Sequence, residues 1–235
     1  MLKISNLHVS IGLVNILYDI SINVEKGECV ALLGSNGAGK STTFRAVSGL
    51  IKPQSGDIEF LGKSIKDLNP GQRVRMGVVQ VQEGGRAFPY LSVMENLLMG
   101  ATGDNNAWKS RKASMEKVCS RFPILKVRAT LPARSLSGGE RQMLAIGRGL
   151  MAKPKLMMID EPSLGLSPKI LVEIYSIMKS LRDEGITILL SEQNVQKALT
   201  LASRAYVIEN GHIVMQGPSS ELLSSKHVKE AYLGI

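Results

Sequence analysis

The sequence predicts an α/β fold in which a largely parallel sheet carries an inserted helical subdomain. Continuous apolar runs of strand length, such as CVALL at 29–33, are typical of strands that are covered on both faces. These runs alternate with segments of helical periodicity, which favours a parallel sheet. Between about residues 92 and 153 the pattern is helical throughout. We therefore expect this stretch to form a separate helical part inserted into the α/β core.

The N-terminal third of the chain predicts strands joined by glycine-marked turns. Strand-forming residues alternate at 2–9 and recur at 20–24, and Gly27 marks the turn before the buried strand at 29–33. The elements expected next are a helix at 40–50, a turn at 53–56 and strands at 57–61 and 76–81.

The rest of the chain predicts three helices, followed by a return to strands. The three helical segments are expected at 94–99, 108–121 and 138–151. In a further helix at 168–182, the apolar residues recur at helical spacing. Asn210-Gly211 predicts a tight turn between two strands at 205–209 and 213–216. The remaining expected elements are strands at 156–159 and 186–190, a helix at 194–202 and two short helices at the end.

Length and composition suit one α/β domain. The chain has 235 residues, of which 44% are hydrophobic. No apolar run approaches the roughly 18 to 20 residues that span a bilayer, and the N-terminus lacks the apolar centre of a secretory signal. We therefore expect a cytoplasmic protein. Cys29 and Cys119 have no metal-ligand spacing, so buried, reduced thiols are expected and a zinc site is not.

The formal net charge of +9 leaves three kinds of anionic partner open. Nucleic acid, an anionic membrane surface and nucleotide phosphates would each attract such a chain. The densest basic patch, at 109–117, fits a solvated helix face, with contact to a membrane or a membrane partner as the alternative. Aromatic residues make up only 4% of the chain, so stacking platforms for single-stranded nucleic acid are scarce.

GSNGAGKS at 34–41 fits the G-x-x-x-x-G-K-[ST] phosphate-loop pattern and lies between an apolar strand and a helix, as that loop requires. Its glycines let backbone N–H groups turn toward phosphate oxygens, and the helix N-terminus adds positive charge. Lys40 is expected to bridge the outer phosphates, Ser41 to hold Mg²⁺ and Thr42 to contact the α-phosphate side. The expected ATP-binding residues of this loop are Gly34, Ser35, Asn36, Gly37, Ala38, Gly39, Lys40, Ser41 and Thr42.

LMMIDEP at 156–162 places four apolar residues before Asp160. We expect Asp160 to lie at the C-terminal edge of a buried strand, beside the phosphate loop, where its carboxylate would bind Mg²⁺. Glu161 would point in another direction, which suits a general base that orients or deprotonates the attacking water. The alternative is a capping Asp-Glu pair at a strand end.

LSGGERQ at 136–142 begins a predicted helix with capping-box spacing between its serine and its first glutamate. An ordinary helix start would show the same capping-box spacing. However, the two glycines leave the backbone N–H groups of the first turn exposed. A helix N-terminus with exposed N–H groups carries partial positive charge and can also bind an anion. This segment lies too far along the helical part to reach its own phosphate loop, so we expect it to face a γ-phosphate held by a second subunit. Its residues are Ser137, Gly138, Gly139 and Glu140.

In this order and at these spacings, the three motifs resemble the ATP-binding subunits of ABC transporters over essentially the whole chain. Segments at 81–100, 160–168, 188–194 and 219–234 resemble, more narrowly, the ATP-binding subunits of branched-chain amino-acid importers. The resemblance implies a P-loop NTPase (RecA-like) α/β core with an antiparallel β part and an inserted helical subdomain. It also implies head-to-tail dimers in which each ATP site joins one subunit's phosphate loop to the other's signature.

The resemblance assigns residues 1–235 to one ABC-type ATP-binding domain. Residues 1–85 and 154–235 would form the nucleotide-binding core, and about 86–153 the helical subdomain that carries the signature. ATP and Mg²⁺ are the implied ligands. The implied partners are a sister ATP-binding subunit in a heterodimer (with a homodimer as the alternative), two transmembrane permease subunits and, indirectly, a periplasmic or extracellular binding protein. The implied location is the cytoplasmic face of the cell membrane.

Two candidate catalytic positions depart from the usual family pattern. Glu83 stands where most members carry the glutamine of the Q-loop, and Gln82 precedes it where proline is usual. Either side chain could reach Mg²⁺ or the attacking water; we take Glu83 for these roles and leave Gln82 open. Gln193 stands in the place of the switch histidine and can hydrogen-bond a γ-phosphate, but it cannot carry positive charge. This shifts the catalytic weight to Glu161.

Three further positions also bear on function. Ser167 replaces the usual aspartate after the DEP segment, and as an N-cap before Pro168 it preserves the helix start. Ile11 stands where an aromatic residue usually stacks on adenine, so it is expected to pack on the base without a π-face, and Tyr18 is a poor substitute by position. In the family, the region of Phe88 borders a groove that receives a helix from the membrane subunits, although a core position is equally compatible with the sequence.

The function favoured by the sequence is the ATP-hydrolysing motor of an importer for branched-chain amino acids. An importer of urea, amides or other amino acids is the alternative, because the ATPase does not touch the transported molecule. The net charge also motivates a soluble ABC-type ATPase that acts on nucleic acid. Repair relatives, however, place long coiled coils between phosphate loop and signature, and the stretch between Lys40 and Ser137 contains no long heptad run. Translation relatives usually carry two ATPase domains. We therefore expect no nucleic-acid partner.

Overall fold

The computed structural model describes residues 1–233 and arranges its strands in two sheets. In chain order the strands are β1 (Leu2–Ile11), β2 (Val14–Val24), β3 (Cys29–Leu33), β4 (Ser55–Phe60), β5 (Lys63–Ser64), β6 (Val78–Val81), β7 (Leu156–Asp160), β8 (Thr187–Glu192), β9 (Arg204–Glu209) and β10 (His212–Pro218). One sheet has four strands in the order β2-β1-β4-β5, and the other has six in the order β10-β9-β3-β8-β7-β6.

The helices follow the strands along the chain and fill the stretch between β6 and β7. They are α1 (Lys40–Ser48), α2 (Pro70–Met76), α3 (Val93–Ala101), α4 (Asn105–Lys109), α5 (Arg111–Arg121), α6 (Pro123–Val127), α7 (Gly138–Met151), α8 (Pro168–Asp183), α9 (Val195–Leu201), α10 (Ser219–Ser224) and α11 (Lys226–Val228). A 3₁₀ turn at Ala133–Ser135 and a π-helical turn at Lys229–Leu233 complete the described residues. No helix of residues 1–233 is long and apolar enough to cross a membrane.

The six-stranded sheet is parallel except for its edge strand β10, which pairs antiparallel with β9. All five residues of β3 and all five of β7 are buried, which is why β3 is a continuous apolar run and β7 is apolar up to Asp160. The C-terminal ends of β3, β7 and β8 meet at one edge of this sheet, because parallel strands run in the same direction. In open α/β sheets ligands bind at that edge.

The four-stranded sheet is antiparallel and packs its buried face against α1 and one side of the larger sheet. The expected antiparallel β part is therefore confirmed. The first half of β2 is a correction to the sequence prediction, which began the strand at Ile20. Residues from Val14 onward extend it because they pair with the end of β1, as in Ile11↔Val14 and Val9↔Leu17. Long-range pairing, rather than local alternation, forms this part of the strand.

The helical part consists of α3 to α7 and shares a core with the other side of the larger sheet. Helix α7 is its centre, with most of its residues buried. A Cβ at Gly147 would lie 3.0 Å from Val118 of α5 and 3.1 Å from Leu97 of α3, so this glycine lets three helices approach closely. The expected all-helical insertion is confirmed.

Local capping explains where the predicted helix bounds were wrong. The sequence prediction missed helix α2, at whose start Asn69 and Gln72 form a capping box. The strand that was expected from residue 76 therefore begins only at Val78. The helix expected at 108–121 is two helices, since Asp104 caps α4 and a new helix begins at Arg111. Helix α1 ends at Ser48 instead of residue 50, because Gly49 takes φ +81° as its C-cap.

Candidate nucleotide-binding site

The phosphate loop joins β3 to α1 and packs on the hairpin between β9 and β10. A Cβ at Gly34 would lie 2.4 Å from the carbonyl oxygen of Ile208, and one at Gly39 would lie 2.6 Å from Leu17. The N–H of Gly211 donates to the carbonyl of Ala38 at 2.9 Å. Two of the loop glycines thus allow a close backbone approach that a side chain would block.

Lys40 is held across this loop by three acceptors. Its Nζ donates to the carbonyls of Gly34 at 2.7 Å and Ser35 at 2.9 Å. The same Nζ lies 2.9 Å from the Oε1 of Glu161. Lys40 is only 3% exposed and Glu161 8%, so the ion pair is buried. The structure therefore brings together the predicted phosphate-binding lysine and the predicted general base.

Asp160 ends β7 beside the phosphate loop, as the sequence predicts, but its side chain is buried. The hydroxyl of Ser41 donates to Asp160 Oδ1 at 3.2 Å, and the hydroxyl of Ser191 donates to the same oxygen. Burial raises the pKa of Asp160, and the hydrogen bonds from Ser191 and Ser41 offset part of that rise. Asp160 contacts Ser41 and Glu161 contacts Lys40, so the two neighbouring carboxylates reach different residues of α1.

The backbone of Glu161 has φ +43°, in the left-handed region that non-glycine residues seldom adopt. Its N–H donates to both the carbonyl and the hydroxyl of Ser191, each at 3.1 Å. Such strain persists only where neighbours hold the backbone, and it is common at functional sites. Ser191 thus fixes both Asp160 and Glu161, a role that the sequence prediction missed although it singled out the segment at 188–194.

Gln82 and Glu83 both line a cavity of about 330 Å³ that also contains Ser41 and Asp160. Both side chains are exposed, so the structure brings both Q-loop candidates to the predicted metal position and does not choose between them. Gln80 lines the same cavity, and its Oε1 is buried without a hydrogen-bond partner among the described residues. Gln80 lies in β6, two positions before Gln82, so strand alternation counted back from Gln82 would have indicated that Gln80 faces the same cavity.

These groups fit a magnesium ion bound together with a nucleotide. The hydroxyl of Ser41, the carboxylates of Asp160 and Glu83, and the unpaired Oε1 of Gln80 are all oxygen ligands. Mg²⁺ prefers oxygen ligands and is usually held by one or two carboxylates plus substrate phosphates. In residues 1–233, no group of three His, Cys, Asp or Glu side chains is placed to hold a metal ion.

The signature segment forms the expected capping box at the start of α7. The Ser137 hydroxyl accepts from the N–H of Glu140 at 3.3 Å, and the Glu140 carboxylate accepts from the N–H of Ser137 at 2.8 Å. This backbone hydrogen bond lowers the pKa of Glu140. Ser137 and Gly138 are exposed, so the helix end is accessible from outside the chain. Gly139 is buried, and a Cβ there would lie 2.7 Å from Ile170 of α8.

Gln193 is exposed and follows directly after β8. Its N–H donates to the Oε2 of Glu192 at 3.1 Å. Glu192 is completely buried at the end of β8. The sequence prediction assigned no role to Glu192, because a charged residue after an apolar run resembles an exposed strand end.

The residue expected to pack on adenine, Ile11, lies at an apolar hairpin tip. Ile11 ends β1 and is 48% exposed, and Leu13 and Val14 beside it are also exposed. Tyr18 stacks on His212, with ring centroids 4.7 Å apart and planes 5° from parallel. Tyr18 therefore already has a stacking partner within the chain.

Ser167 occupies the N-cap position of α8 with Pro168 at the first helical position, but its side chain makes no capping hydrogen bond. Phe88 is 46% exposed and Tyr90 79%, so the core position that was left open for Phe88 is wrong. Buried Asn96 holds this loop, because its side-chain amide donates to the carbonyls of Phe88 and Leu91. Both cysteines are buried and unbonded, as expected.

Comparison with known proteins places these features in a family. The model of the ABC transporter family matches residues 17–164. The chain is 45% identical to the high-affinity branched-chain amino acid transport ATP-binding protein BraG of Pseudomonas aeruginosa, over all of both chains. It is 36% identical to the lipopolysaccharide export system ATP-binding protein LptB of Escherichia coli, over 93% of this chain and 91% of that one.

A solved structure has the same fold. The ADP conformation of MJ1267, an ATP-binding cassette of an ABC transporter, superposes with a TM-score of 0.87 at 28% identity. The match covers 100% of this chain and 99% of that one. The P-loop NTPase fold expected from the sequence is thereby confirmed.

Proposed function

The chain belongs to the ABC transporter family of ATP-hydrolysing subunits, and from that premise we propose that it drives an importer of branched-chain amino acids. The observation that carries the substrate class is the 45% identity to BraG along the whole chain. The similarity to LptB, which is named for lipopolysaccharide export, is weaker and shorter. An importer of urea, amides or other amino acids is the second candidate, because the ATP site does not contact the transported molecule.

The phosphates of ATP would bind in the loop of residues 34–39 and at the start of α1. Backbone N–H groups and the helix N-terminus supply positive charge there. Lys40 would exchange its carbonyl partners and Glu161 for the outer phosphates. Thr42 would lie on the α-phosphate side, and Ile11 would pack against adenine. The buried Lys40–Glu161 pair supports this arrangement, because it places the lysine within the loop.

Ser41, Asp160 and either Glu83 or Gln82 would hold Mg²⁺ with the nucleotide. Bound there, the ion would neutralise charge that develops on the transferred phosphoryl group. Ser41 and Asp160 are already joined by a hydrogen bond of 3.2 Å, so little rearrangement is needed to bring their oxygens together.

Glu161 would act as the general base once Lys40 has left it to bind a phosphate. A carboxylate freed in this way can accept a hydrogen bond from the attacking water and orient it toward the γ-phosphate. Gln193 would donate its side-chain amide to the γ-phosphate. Its exposure at the end of β8 leaves that side chain free to do so.

Each ATP would be completed by a second subunit. Ser137, Gly138, Gly139 and Glu140 would present the N-terminus of α7 to a phosphate held by the partner's loop. The exposure of Ser137 and Gly138 supports this, because groups that bind a partner's ligand must be accessible. We propose a sister ATP-binding subunit as that partner, with a second copy of this chain as the alternative.

The exposed rings of Phe88 and Tyr90 would border the groove for a transmembrane permease subunit. Arg148 lies 5.2 Å from the Phe88 ring and Arg134 lies 5.4 Å from the Tyr90 ring, so both rings are held at the surface by cations. Two permease subunits and, indirectly, a periplasmic or extracellular binding protein would complete the importer. The chain would then lie on the cytoplasmic face of the membrane. Residues 1–85 and 154–235 would form the nucleotide-binding core, and about 86–153 would form the helical subdomain that carries the signature.

The test is uptake by proteoliposomes that contain the permeases, this chain and its sister subunit. We expect ATP-dependent accumulation of radiolabelled leucine and none of urea, with the Lys40→Ala variant inactive. Urea uptake without leucine uptake would favour the second candidate. Salt-dependent binding of duplex DNA together with an absence of any uptake would favour the nucleic-acid ATPase.

The composition of the dimer can be measured on the Glu161→Gln variant by light scattering with Mg-ATP. We expect dimers only when the sister ATPase is present. Dimers of this chain alone would indicate a homomeric transporter.

A further inference from the structure

Glu192 is a completely buried carboxylate to which the proposed reaction gives no task. It ends β8, and none of its side chain is exposed. Glutamate is almost never fully buried unless it is paired, and burying a charge costs free energy unless hydrogen bonds compensate. A carboxylate in this position therefore needs a full set of donors.

Five hydrogen bonds supply those donors. Glu192 Oε1 accepts from the N–H of Ser163 at 3.2 Å and from the hydroxyl of Tyr175 at 2.9 Å. Glu192 Oε2 accepts from the hydroxyl of Ser163 at 2.8 Å and from the N–H groups of Gln193 at 3.1 Å and Asn194 at 3.2 Å. Burial raises the pKa of Glu192, and the hydrogen bonds from Ser163 and Tyr175 offset part of that rise.

The donor types specify a carboxylate. Three of the five donors are backbone N–H groups, which cannot accept a hydrogen bond, and both oxygens of Glu192 receive at least one of them. A glutamine in this place would turn its NH₂ group toward a backbone N–H in either orientation. The site therefore discriminates between Glu and Gln, although the two side chains have nearly the same size.

These bonds join three segments of the chain: the segment after β7, helix α8 and the residues that follow β8. Ser163 lies two residues after Glu161, Gln193 follows Glu192 directly, and Tyr175 belongs to α8. Ser191, the neighbouring residue of β8, holds the N–H of Glu161. The last two residues of β8 thus fix the segment after β7 at both Glu161 and Ser163.

We propose that Glu192 is a positioning residue for ATP hydrolysis. Its hydrogen bonds hold the backbone of Gln193 and the segment at Ser163 in a fixed position beside Glu161. This inference rests on the proposed function, because it takes Glu161 as the general base and Gln193 as the γ-phosphate contact. Because Glu192 is completely buried, it would act on the reaction only through Gln193 and the segment at Ser163. Displacement of a group that positions a reactant by about 1 Å can cost about a hundredfold in rate.

The test compares Glu192→Gln with wild type in steady-state ATP hydrolysis, using the full chain in the assembly in which wild type hydrolyses ATP. We expect kcat to fall at least about tenfold. The dissociation constant of ATP is expected to stay within about twofold, because Lys40 and Ser41 are not touched. Tyr175→Phe removes one of the five bonds and leaves the carboxylate in place. It should fold and lower kcat by about threefold.

Glu28→Gln is the matched control. Glu28 also accepts several hydrogen bonds, from Arg204, from the Ser203 hydroxyl and from the N–H of Glu25. It precedes β3, at the opposite end of the sheet from the phosphate loop. This variant should lose stability but keep kcat. If both variants lower kcat in proportion to their loss of stability, the role of Glu192 is structural and the proposal is wrong.

A double-mutant cycle tests whether Glu192 acts through its neighbours. In a Gln193→Ala background, the effect of Glu192→Gln on kcat should shrink, because the side chain that Glu192 positions is already lost. Full additivity of the two substitutions would overturn the proposal.

The Glu161→Gln variant distinguishes a failure of the proposed function from a failure of the role proposed for Glu192. If Glu161→Gln hydrolyses ATP at the wild-type rate, the proposed function fails at its general base, and this inference fails with it. If Glu161→Gln is inactive while both Glu192→Gln and Tyr175→Phe keep the wild-type kcat, only the role of Glu192 is wrong.

Discussion

Lys40 and Glu161 form a buried ion pair of 2.9 Å at the centre of the candidate site. The pair satisfies two charges that would otherwise be buried alone, which would cost several kcal/mol. In the proposed function, Lys40 would leave Glu161 for a phosphate, so that phosphate binding and the release of the proposed general base would be a single exchange. At the scale of single residues, the proposed chemistry therefore depends on which group Lys40 and Glu161 each contact.

Replacing Glu161 with Gln should separate binding from hydrolysis. Hydrolysis should fall by about a hundredfold or more because the general base is lost. ATP should bind several-fold more tightly, because Lys40 no longer has to leave a carboxylate. Isothermal titration with ATP and phosphate-release assays measure the two effects. Glu173→Gln, an exposed change on α8, is the control. Weaker ATP binding by Glu161→Gln would contradict the exchange.

The pair of Glu28 and Arg204 predicts a pH dependence of stability. Partial burial raises the pKa of Glu28, but hydrogen bonds from Arg204 and from the Glu25 N–H outweigh it, so the pKa lies below its ordinary value. A lowered folded-state pKa stabilises the fold above the unfolded pKa, and that stability is lost as pH falls through the folded pKa. Glu28→Gln should therefore lower Tm at pH 7 by about 3–6 °C.

The difference in Tm should begin to shrink as the pH falls below the ordinary glutamate pKa of about 4.3, and it should vanish once the pH has passed the lowered folded-state pKa of Glu28, where the wild-type side chain is protonated too. Thermal unfolding followed by circular dichroism between pH 3 and pH 7 measures it. A difference in Tm that stays constant across this range would show that the effect of Glu28→Gln is not electrostatic.

At the scale of elements, α1 is held at both ends. Its N-terminus carries the phosphate loop, and buried Arg73 caps its C-terminus, donating to the carbonyls of Ala46 at 2.7 Å and Val47 at 2.8 Å. The same guanidinium donates to the carbonyls of Lys66 and Leu68. Helix ends leave carbonyls without partners, so one arginine here satisfies both the helix and the loop before α2.

Arg73→Met should therefore destabilise the fold by about 2–4 kcal/mol, because it leaves buried carbonyls without donors. Urea unfolding measures the loss. Arg75→Met, an exposed change on the same helix, should cost less than about 0.5 kcal/mol. Equal losses for the two variants would mean that the capping bonds contribute little.

At the scale of the whole molecule, the signature and the phosphate loop belong to different parts of the fold. Ser137 begins α7 in the helical part, whereas Lys40 begins α1 beside the larger sheet. In the proposed function, one half of each ATP site would therefore belong to the helical part and the other half to the part that carries the larger sheet. Two chains facing each other would bring the halves together, and this is the basis of the proposed dimer.

Ser137→Arg should block association without blocking nucleotide binding. The chain should bind ATP with wild-type affinity, because its own phosphate loop is intact. In the Glu161→Gln background, however, ATP should no longer cause dimers, since the arginine side chain fills the place of the partner's phosphate. Light scattering with Mg-ATP measures this. Ser135→Arg, an exposed change two residues away, should dimerise normally. A large loss of ATP affinity in Ser137→Arg would contradict the assignment of the signature to the partner's site.

The sequence by itself determined the fold class and the local parts of the site. The apolar runs that became β3 and β7, the capping box at Ser137 and the glycine loop before Lys40 are short-range patterns. Their physical causes act over a few residues, through burial on both faces, helix capping and backbone freedom at glycine. The apolar run before Asp160 also predicted the roles of Asp160 and Glu161, and the family resemblance added the role of Gln193; all three stay predictions.

Only the tertiary structure decided which side chains contact one another. The first half of β2 exists because β1 lies beside it. The pairing of Lys40 with Glu161 and the burial of Glu192 among donors from three segments join residues far apart in the chain. Local pattern cannot reveal such contacts, because packing of the strands at a common edge, rather than sequence spacing, sets the distances between these charges and their partners.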